Sequence, residues 1–181
     1  MSGDARFTES VIARWSGIKV LLLDVDGVLT DGGLLYSAQG EALKRFNTLD
    51  GHGLKMLQSA GITVAVITGR DSEPLRARLQ ALGINHARYG IDDKLPAAQD
   101  ILADLNFEWS QVAAMGDDWP DWPMMKDAAL RCAPANAHHE IQTRADFVCK
   151  TSGGHGAVRE VCDLLLSATG HYQTIAKKYA L

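Results

Sequence analysis

Two aspartates separated by one residue follow a short apolar run near the start of the chain. The run Val20–Leu23 leads into Asp24 and Asp26, and Gly27 comes next. Residues two apart in an extended segment point in the same direction, so both carboxylates face one site. There they need a cation, a shared proton or hydrogen bonds to offset their repulsion. The pair is suited to metal binding or acid–base chemistry, and an acidic turn after a core strand is the alternative.

Further polar groups follow later apolar runs and extend this pattern. Thr68 ends the second run, Lys94 begins a predicted helix, and Asp117 with Asp118 follows a third run. Mg²⁺ prefers oxygen ligands, usually one or two carboxylates together with water and substrate phosphate. A lysine, a hydroxyl and a backbone N–H are suited to the remaining phosphate oxygens. The set predicts a Mg²⁺-dependent phosphoryl-transfer site, in which one aspartate attacks phosphorus and a second exchanges a proton.

Predicted strands and helices alternate along the chain. This order predicts a doubly wound, Rossmann-like α/β fold with a mostly parallel sheet, in a single domain over residues 1–181. Ligands of such sheets bind at the carboxyl ends of the strands. The pattern also predicts a β-hairpin inserted over about residues 32–47, where it can cover the site, and no large cap domain. A short helix is expected over residues 5–16 and a helical tail over about 170–181.

The helix ends carry their own signals. Leu75, Leu79 and Leu82 recur at helical spacing, and Gly83 is expected to end that helix. Asp50 is expected to cap the N-terminus of the helix that follows the hairpin.

Composition excludes several classes of protein. Of the 181 residues, 46% are hydrophobic and 22% are charged, an ordinary globular mixture. The net charge of −4 gives no support for nucleic-acid binding, and no basic run suggests a membrane surface. No apolar run approaches the roughly 20 residues of a membrane span. Three cysteines without a signal sequence predict a cytoplasmic protein with reduced thiols.

Four motifs follow one another in a fixed order along the chain. They are Asp-x-Asp-Gly-Val-Leu-Thr-Asp from Asp24, Thr-Gly-Arg from Thr68, a lysine at Lys94, and Gly-Asp-Asp-x-x-Asp from Gly116. This set resembles the haloacid dehalogenase superfamily of aspartate-nucleophile phosphatases. Three further segments narrow the resemblance to a subfamily that lacks a large cap domain and forms homotetramers; they are residues 47–53, 116–123 and 153–160.

The resemblance implies a mechanism and a pathway. It implies Mg²⁺-dependent hydrolysis of the 8-phosphate of an eight-carbon sugar acid, through an aspartyl-phosphate, in lipopolysaccharide precursor synthesis. Asp24 is then the nucleophile and Asp26 the general acid and base, while Thr68 and Lys94 hold the phosphate. The implied metal ligands are Asp24, Asp26 (through its backbone carbonyl), Asp117 and Asp118.

Substrate binding is assigned by the same resemblance to the segment between hairpin and helix and to several cations. An arginine fork binds the carboxylate of a sugar acid in bidentate fashion. The implied substrate ligands are Asp26, Asn47, Thr48, Leu49, Asp50, Gly51, Lys55, Arg70, Arg78 and Lys94. Two positions depart from the family pattern: Lys55 stands where many relatives have arginine, and Trp119-Pro120 replaces an aliphatic pair.

Other functions stay open at this point. A phosphatase for a nine-carbon, sialic-acid-type sugar phosphate has the same catalytic set. A receiver-like signalling domain also collects aspartates, a threonine and a lysine at strand ends, and accepts phosphate without turnover. A binding domain that has lost catalysis is a third possibility, although it would be expected to lack Asp24 or Asp26.

The apolar residues of the predicted hairpin indicate whether the protein forms an oligomer. It carries Leu34, Leu35 and Tyr36, apolar side chains that a monomer would leave exposed. The resemblance implies that hairpins join in a homotetramer, and the alternative is a flap that folds back on its own subunit.

Overall fold

Six parallel strands form the central sheet of the computed structural model, which describes residue 13 and residues 15–180. Together with the two hairpin strands β2 and β3, the described residues contain eight strands: β1 (Val20–Leu23), β2 (Leu35–Ser37), β3 (Gly40–Leu43), β4 (Thr63–Ile67), β5 (His86–Arg88), β6 (Val112–Met115), β7 (Leu130–Ala133) and β8 (Phe147–Val148). The order across the sheet is β5-β4-β1-β6-β7-β8, and every neighbouring pair is parallel. The predicted doubly wound α/β fold is confirmed. The predicted helix at residues 5–16 falls almost wholly outside the described residues.

Seven α-helices lie within the described part of the chain. They are α1 (Thr48–Ser59), α2 (Glu73–Leu82), α3 (Lys94–Leu105), α4 (Trp122–Met125), α5 (His139–Arg144), α6 (Ala157–Ala168) and α7 (Tyr172–Lys177). Short 3₁₀ turns at Trp109–Gln111 and Trp119–Asp121 precede β6 and α4. Over residues 15–180, none of the helices has both the length and the apolar character needed to cross a membrane.

The sheet is buried on both faces, because side chains alternate along each strand. In β1, Leu21 and Leu23 contribute to the apolar layer that α1, α2, α6 and α7 cover. Val20 and Leu22 point to the opposite layer, beneath α3, α4 and α5. All four side chains are fully buried. This three-layer packing holds the central strand rigidly and aims its carboxyl end at one edge.

The structure confirms one predicted helix end and corrects another. Helix α2 ends at Gly83, which adopts a left-handed conformation with φ of 70°, as predicted. The expectation for Asp50 was wrong, because Asn47 caps α1 and its Oδ1 accepts from Leu49 N at 2.8 Å. Asp50 lies inside the first turn, where it is buried and accepts from the backbone N–H groups of Gly156 and Arg159.

The inserted hairpin consists of β2 and β3, which pair with each other in a separate antiparallel sheet. Leu35 and Leu43 are partners across it and are 52% and 63% exposed. No large cap domain is present within residues 15–180.

The site lies where the chain reverses its direction across the sheet. From β1 the chain first builds β4 and β5 on one side, then crosses to build β6, β7 and β8 on the other. Such a switch point opens a crevice at the carboxyl ends of the central strands.

Candidate active site

A buried lysine bridges two buried aspartates at the carboxyl edge of the sheet. Lys94, the first residue of α3, donates to Asp24 Oδ1 at 2.5 Å and to Asp121 Oδ1 at 2.6 Å. All three residues are at most 5% exposed. Burial opposes the charge of Lys94, but the charges of Asp24 and Asp121 raise its pKa above the usual value. The lysine therefore stays charged between the two carboxylates.

Asp117 adds a third carboxylate to this group. One side-chain oxygen each from Asp24, Asp117 and Asp121 lies within 4.8 Å of the others. Burial, and then the charge of Asp121, raises the pKa of Asp24 to about 7 against the opposing effect of Lys94. Burial and the charges of Asp121 and Asp24 raise the pKa of Asp117 to about 8. Lys94 alone does not offset this negative charge, so a divalent cation with oxygen ligands fits the cluster. We call Asp24, Lys94, Asp117 and Asp121 the sheet-edge cluster.

Asp121 holds the loop after β6 in place. Its Oδ2 accepts from the backbone N–H of Asp117 at 2.8 Å and of Asp118 at 3.2 Å, while Oδ1 accepts from Lys94. Asp118, the predicted metal ligand, lies outside the acidic cluster and accepts from Trp119 N at 2.8 Å. Direct metal binding by Asp118 stays a prediction, and the geometry favours Asp24 and Asp117 as the carboxylate ligands.

Glycine at position 27 is required by the space beside Asp117. Gly27 has a φ of 91°, and a Cβ there would lie 2.1 Å from Asp117 Oδ2. The turn after Asp26 can therefore pass against the Asp117 carboxylate only without a side chain.

A glycine-rich loop after β8 supports this turn from behind. Asn136 donates to the Gly27 carbonyl at 3.3 Å and accepts from Gly153 N at 2.7 Å. A Cβ on Gly153 would lie only 1.8 Å from the Gly27 carbonyl oxygen. The loop and Asn136 thus fix the position of the turn that carries Asp24 and Asp26.

Thr68 lies at the same edge as Asp24, because β4 is the parallel neighbour of β1. Thr68 is buried, and its hydroxyl accepts from Arg70 N at 3.2 Å. The Arg70 side chain donates to the Tyr36 hydroxyl of the hairpin at 3.2 Å. Arg70 therefore links the end of β4 to the inserted hairpin.

Asp26 faces the hairpin rather than the sheet-edge cluster. Lys44, the residue after β3, donates from Nζ to Asp26 Oδ1. Arg70 Nε lies 3.7 Å from Asp26 Oδ2. Each carboxylate oxygen of Asp26 thus has a cation beside it, and one of these cations comes from the insert.

Arg78 lies against the N-terminus of α1. It donates to the Asn47 carbonyl at 3.1 Å, and a Cβ on Gly51 would lie 2.3 Å from its Nη2. Asn47 also donates to the Gly154 carbonyl at 3.2 Å. Arg78 and Asn47 therefore join α2, α1 and the glycine-rich loop in one unit. We call Tyr36, Lys44, Asn47, Arg70 and Arg78 the hairpin side.

The remaining predicted substrate ligands differ in exposure. Thr48 and Leu49 are exposed at the start of α1, and Lys55 is exposed further along it. Asp50 is buried and bonded to backbone groups, so its position supports α1 itself. Substrate contacts by these residues stay predictions.

Comparison with known proteins gives matches over nearly the whole chain. A family model for haloacid dehalogenase-like hydrolases matches residues 90–161. The chain is 47% identical to 3-deoxy-D-manno-octulosonate 8-phosphate phosphatase of Escherichia coli K12, over 88% of this chain and 85% of that protein. The chain belongs to this phosphatase family.

Solved structures of the phosphatase family share the fold. The Moraxella catarrhalis phosphatase, in complex with magnesium, phosphate and KDO, is 35% identical with a TM-score of 0.91, over 95% of this chain and 99% of that chain. The cobalt-bound Haemophilus influenzae phosphatase is 40% identical with a TM-score of 0.89, over 93% of this chain and 99% of that chain. These relatives confirm the resemblance to the haloacid dehalogenase superfamily.

Two residues of this phosphatase site were missed in the sequence. Asp121 has no role in the site predicted from the sequence, although it closes the motif that Asp117 begins. Lys44 had a weaker signal, a single lysine in the insert that follows the aspartate pair. The contact that places Lys44 in the site, from its Nζ to Asp26 Oδ1, depends on how the hairpin folds over the sheet.

Proposed function

We propose that this phosphatase hydrolyses 3-deoxy-D-manno-octulosonate 8-phosphate to the free sugar acid and inorganic phosphate. The observation that carries the proposal is the contact of Lys94 with Asp24 at the switch point, beside Asp117. A buried cation and a metal site around one aspartate allow an anionic nucleophile to approach an anionic phosphate. The family relationship supports the choice of substrate.

The reaction proceeds in two displacements. In the first, Asp24 Oδ attacks phosphorus, the bond from phosphorus to the sugar oxygen breaks, and Asp26 gives a proton to the leaving oxygen. In the second, Asp26 removes a proton from water, the water oxygen bonds to phosphorus, and the aspartyl-phosphate bond breaks. Asp24 is regenerated and phosphate leaves.

Mg²⁺ is the proposed cofactor. Asp24 and Asp117, with the Asp26 carbonyl, would hold the ion, which supplies positive charge to the phosphoryl oxygens. Lys94 stays between Asp24 and Asp121 and adds positive charge from the other side. Thr68 presents its hydroxyl and backbone toward the phosphate at the end of β4.

Recognition of the sugar acid is assigned to the hairpin side. Arg70 and Arg78 are its guanidinium groups, and a guanidinium binds a carboxylate through two parallel hydrogen bonds. The exposed start of α1, with Thr48 and Leu49, lies beside Arg78 and is open to a sugar. In a Gram-negative cell the product would enter lipopolysaccharide precursor synthesis, and a cytoplasmic location stays a prediction.

A homotetramer is the proposed assembly. The hairpin exposes Leu35 and Leu43 as a cross-strand pair, and exposed apolar side chains on a separate two-stranded sheet are expected to be covered by another copy. Sedimentation velocity tests this: Leu35→Glu should shift the protein to a smaller species. A monomeric wild-type protein would contradict the proposal.

The experiment for the activity is phosphate release from a panel of sugar phosphates, with Mg²⁺ and with chelator. The panel contains the eight-carbon and nine-carbon sugar-acid phosphates and simple hexose phosphates. We expect Mg²⁺-dependent preference for the eight-carbon acid. Preference for the nine-carbon acid would keep the mechanism and change the substrate, and phosphate retained on the protein without release would indicate a receiver-like acceptor.

A further inference from the structure

The hairpin delivers a second lysine with a buried side chain to the site. Lys44 follows β3, and only 1% of its side chain is exposed, although its neighbours Leu43 and Arg45 are exposed. Its Nζ donates to Asp26 Oδ1 and lies 2.9 Å from Glu41 Oε1. A charged lysine withdrawn from water costs several kcal/mol unless carboxylates compensate it. The two carboxylates therefore hold Lys44 in one place.

The contact leaves the two oxygens of Asp26 in different surroundings. Oδ1 is engaged by Lys44, whereas Arg70 Nε stays 3.7 Å from Oδ2, beyond hydrogen-bonding distance. Asp26 itself is partly open, with 20% of its side chain exposed. Oδ2 thus keeps an ion pair with Arg70 but accepts no hydrogen bond from its Nε, and it is the oxygen left for a group in the crevice. Without Lys44 the carboxylate could rotate about χ2, the terminal torsion, which adopts a broad range of angles in aspartate.

We propose that Lys44 is a positioning residue, which holds the Asp26 carboxylate so that Oδ2 exchanges the proton with the leaving oxygen and with water. Glu41 holds Lys44, and the hairpin is the part of the fold that brings both to the site. The inference rests on the proposed acid–base role of Asp26. It concerns a residue of the insert, separate from the sheet-edge cluster.

The role has a kinetic signature that depends on the leaving group. A sugar alkoxide needs a proton as its bond to phosphorus breaks, whereas 4-nitrophenolate leaves as a stable anion. Loss of Asp26 orientation should therefore lower kcat/KM, which reports the first displacement, much more for the sugar phosphate than for 4-nitrophenyl phosphate, whereas the second displacement is common to both substrates. A merely loosened fold should slow both substrates alike.

The first test compares Lys44→Met with Arg45→Met on these two substrates. Arg45 pairs with Asp31 and does not contact Asp26, so it is a matched hairpin cation. For Lys44→Met we expect kcat/KM on 3-deoxy-D-manno-octulosonate 8-phosphate to fall about 30- to 100-fold, and on 4-nitrophenyl phosphate less than about 3-fold. Arg45→Met should change both by less than about 3-fold. Equal losses of kcat/KM on both substrates in Lys44→Met would overturn the proposal.

Milder variants cover the case in which Lys44→Met does not fold. Glu41→Gln keeps Lys44 but weakens its hold, and should show the same substrate dependence with a loss of about 3- to 10-fold. Lys44→Arg keeps the cation and should restore part of the kcat/KM lost in Lys44→Met on the sugar phosphate. Wild-type rates in Glu41→Gln together with no rescue by Lys44→Arg would contradict the proposal.

A double-mutant cycle separates this inference from the proposed function. If Lys44 acts through Asp26, Lys44→Met should slow the Asp26→Asn enzyme by less than about 2-fold. A full additional loss in the double variant would show that Lys44 acts elsewhere. If Asp26→Asn lowers kcat/KM equally on both substrates, the acid–base role itself fails. If Asp26→Asn shows the leaving-group dependence and Lys44→Met does not, only the role of Lys44 fails.

Discussion

Lys94 and Lys44 are both buried lysines that pair with two carboxylates, but they are supported in different ways. Lys94 lies between Asp24 and Asp121 at the edge of the six-stranded sheet, where packed layers cover both faces. Lys44 lies between Asp26 and Glu41 and belongs to a two-stranded hairpin with exposed neighbours. The proposed nucleophile, Asp24, is thus held by the core of the domain, and the proposed acid–base residue, Asp26, by an insert.

This difference predicts that substitutions in the two regions affect activity in different ways. Variants in the sheet-edge cluster should impair hydrolysis of every phosphate ester, because each ester would use the same proposed nucleophile and metal. Variants on the hairpin side should have effects that depend on the sugar or on the leaving group. Measuring each variant on two substrates tests whether its effect depends on the substrate.

The largest effect is expected for Asp24→Asn. The amide is nearly isosteric but a poor nucleophile, so kcat should fall at least about 10⁴-fold on both the sugar phosphate and 4-nitrophenyl phosphate. Single-turnover phosphate release measures this, with circular dichroism as the check of folding. Substantial turnover by the folded variant would mean that another group attacks phosphorus.

Lys94→Met should come next. It removes the cation between Asp24 and Asp121, and kcat/KM should fall about 10²- to 10³-fold on both substrates. Lys126→Met is the matched control, because Lys126 is exposed at the end of α4 and should retain wild-type rates. A loss confined to the sugar phosphate would mean that Lys94 recognises the sugar. It would contradict the expected difference between the sheet-edge cluster and the hairpin side.

Arg78→Ala should have a smaller effect that depends on substrate. It removes a guanidinium and its bond to the Asn47 carbonyl, so KM for the sugar-acid phosphate should rise about 10-fold or more. KM for 4-nitrophenyl phosphate, which has no sugar carboxylate, should change less than about 2-fold. Steady-state kinetics on both substrates decide this, and equal changes would assign Arg78 a structural role.

The smallest effect concerns metal and pH. Asp24 and Asp117 have raised pKa values of about 7 and about 8, so the folded protein holds protons that the unfolded chain loses near pH 4. Stability without metal should therefore fall as pH rises from about 4 to 8. Because Mg²⁺ binds the ionised carboxylates, it should raise Tm more at pH 8 than at pH 6. Each kcal/mol that Mg²⁺ binding adds to the free energy of unfolding should raise Tm by about 2–4 °C.

Differential scanning fluorimetry with and without Mg²⁺ measures this shift. In Asp117→Asn, which removes one titrating ligand, the difference between the two pH values should shrink. Equal Mg²⁺ shifts at pH 6 and pH 8 in the wild-type protein would argue against Asp24 and Asp117 as the ligands.

Much of the site was determined by the sequence itself. Asp24, Thr68 and Asp117 each follow an apolar run, and the carboxyl ends of parallel strands meet at one edge of the sheet. Local signals likewise determined α2, whose leucine spacing and terminal Gly83 need no distant partner. These predictions hold because strand direction and helix periodicity are local properties whose spatial consequence is the same in every doubly wound sheet.

Tertiary structure decided the residues whose partners are far away in the chain. Asp50 resembled a helix cap, but its oxygens bond the backbone of Gly156 and Arg159. Whether Asp121 or Asp118 faces Lys94 depends on the turn after β6, and whether Lys44 reaches Asp26 depends on how the hairpin folds over the sheet. Each of these contacts is determined by packing between segments that no local pattern relates.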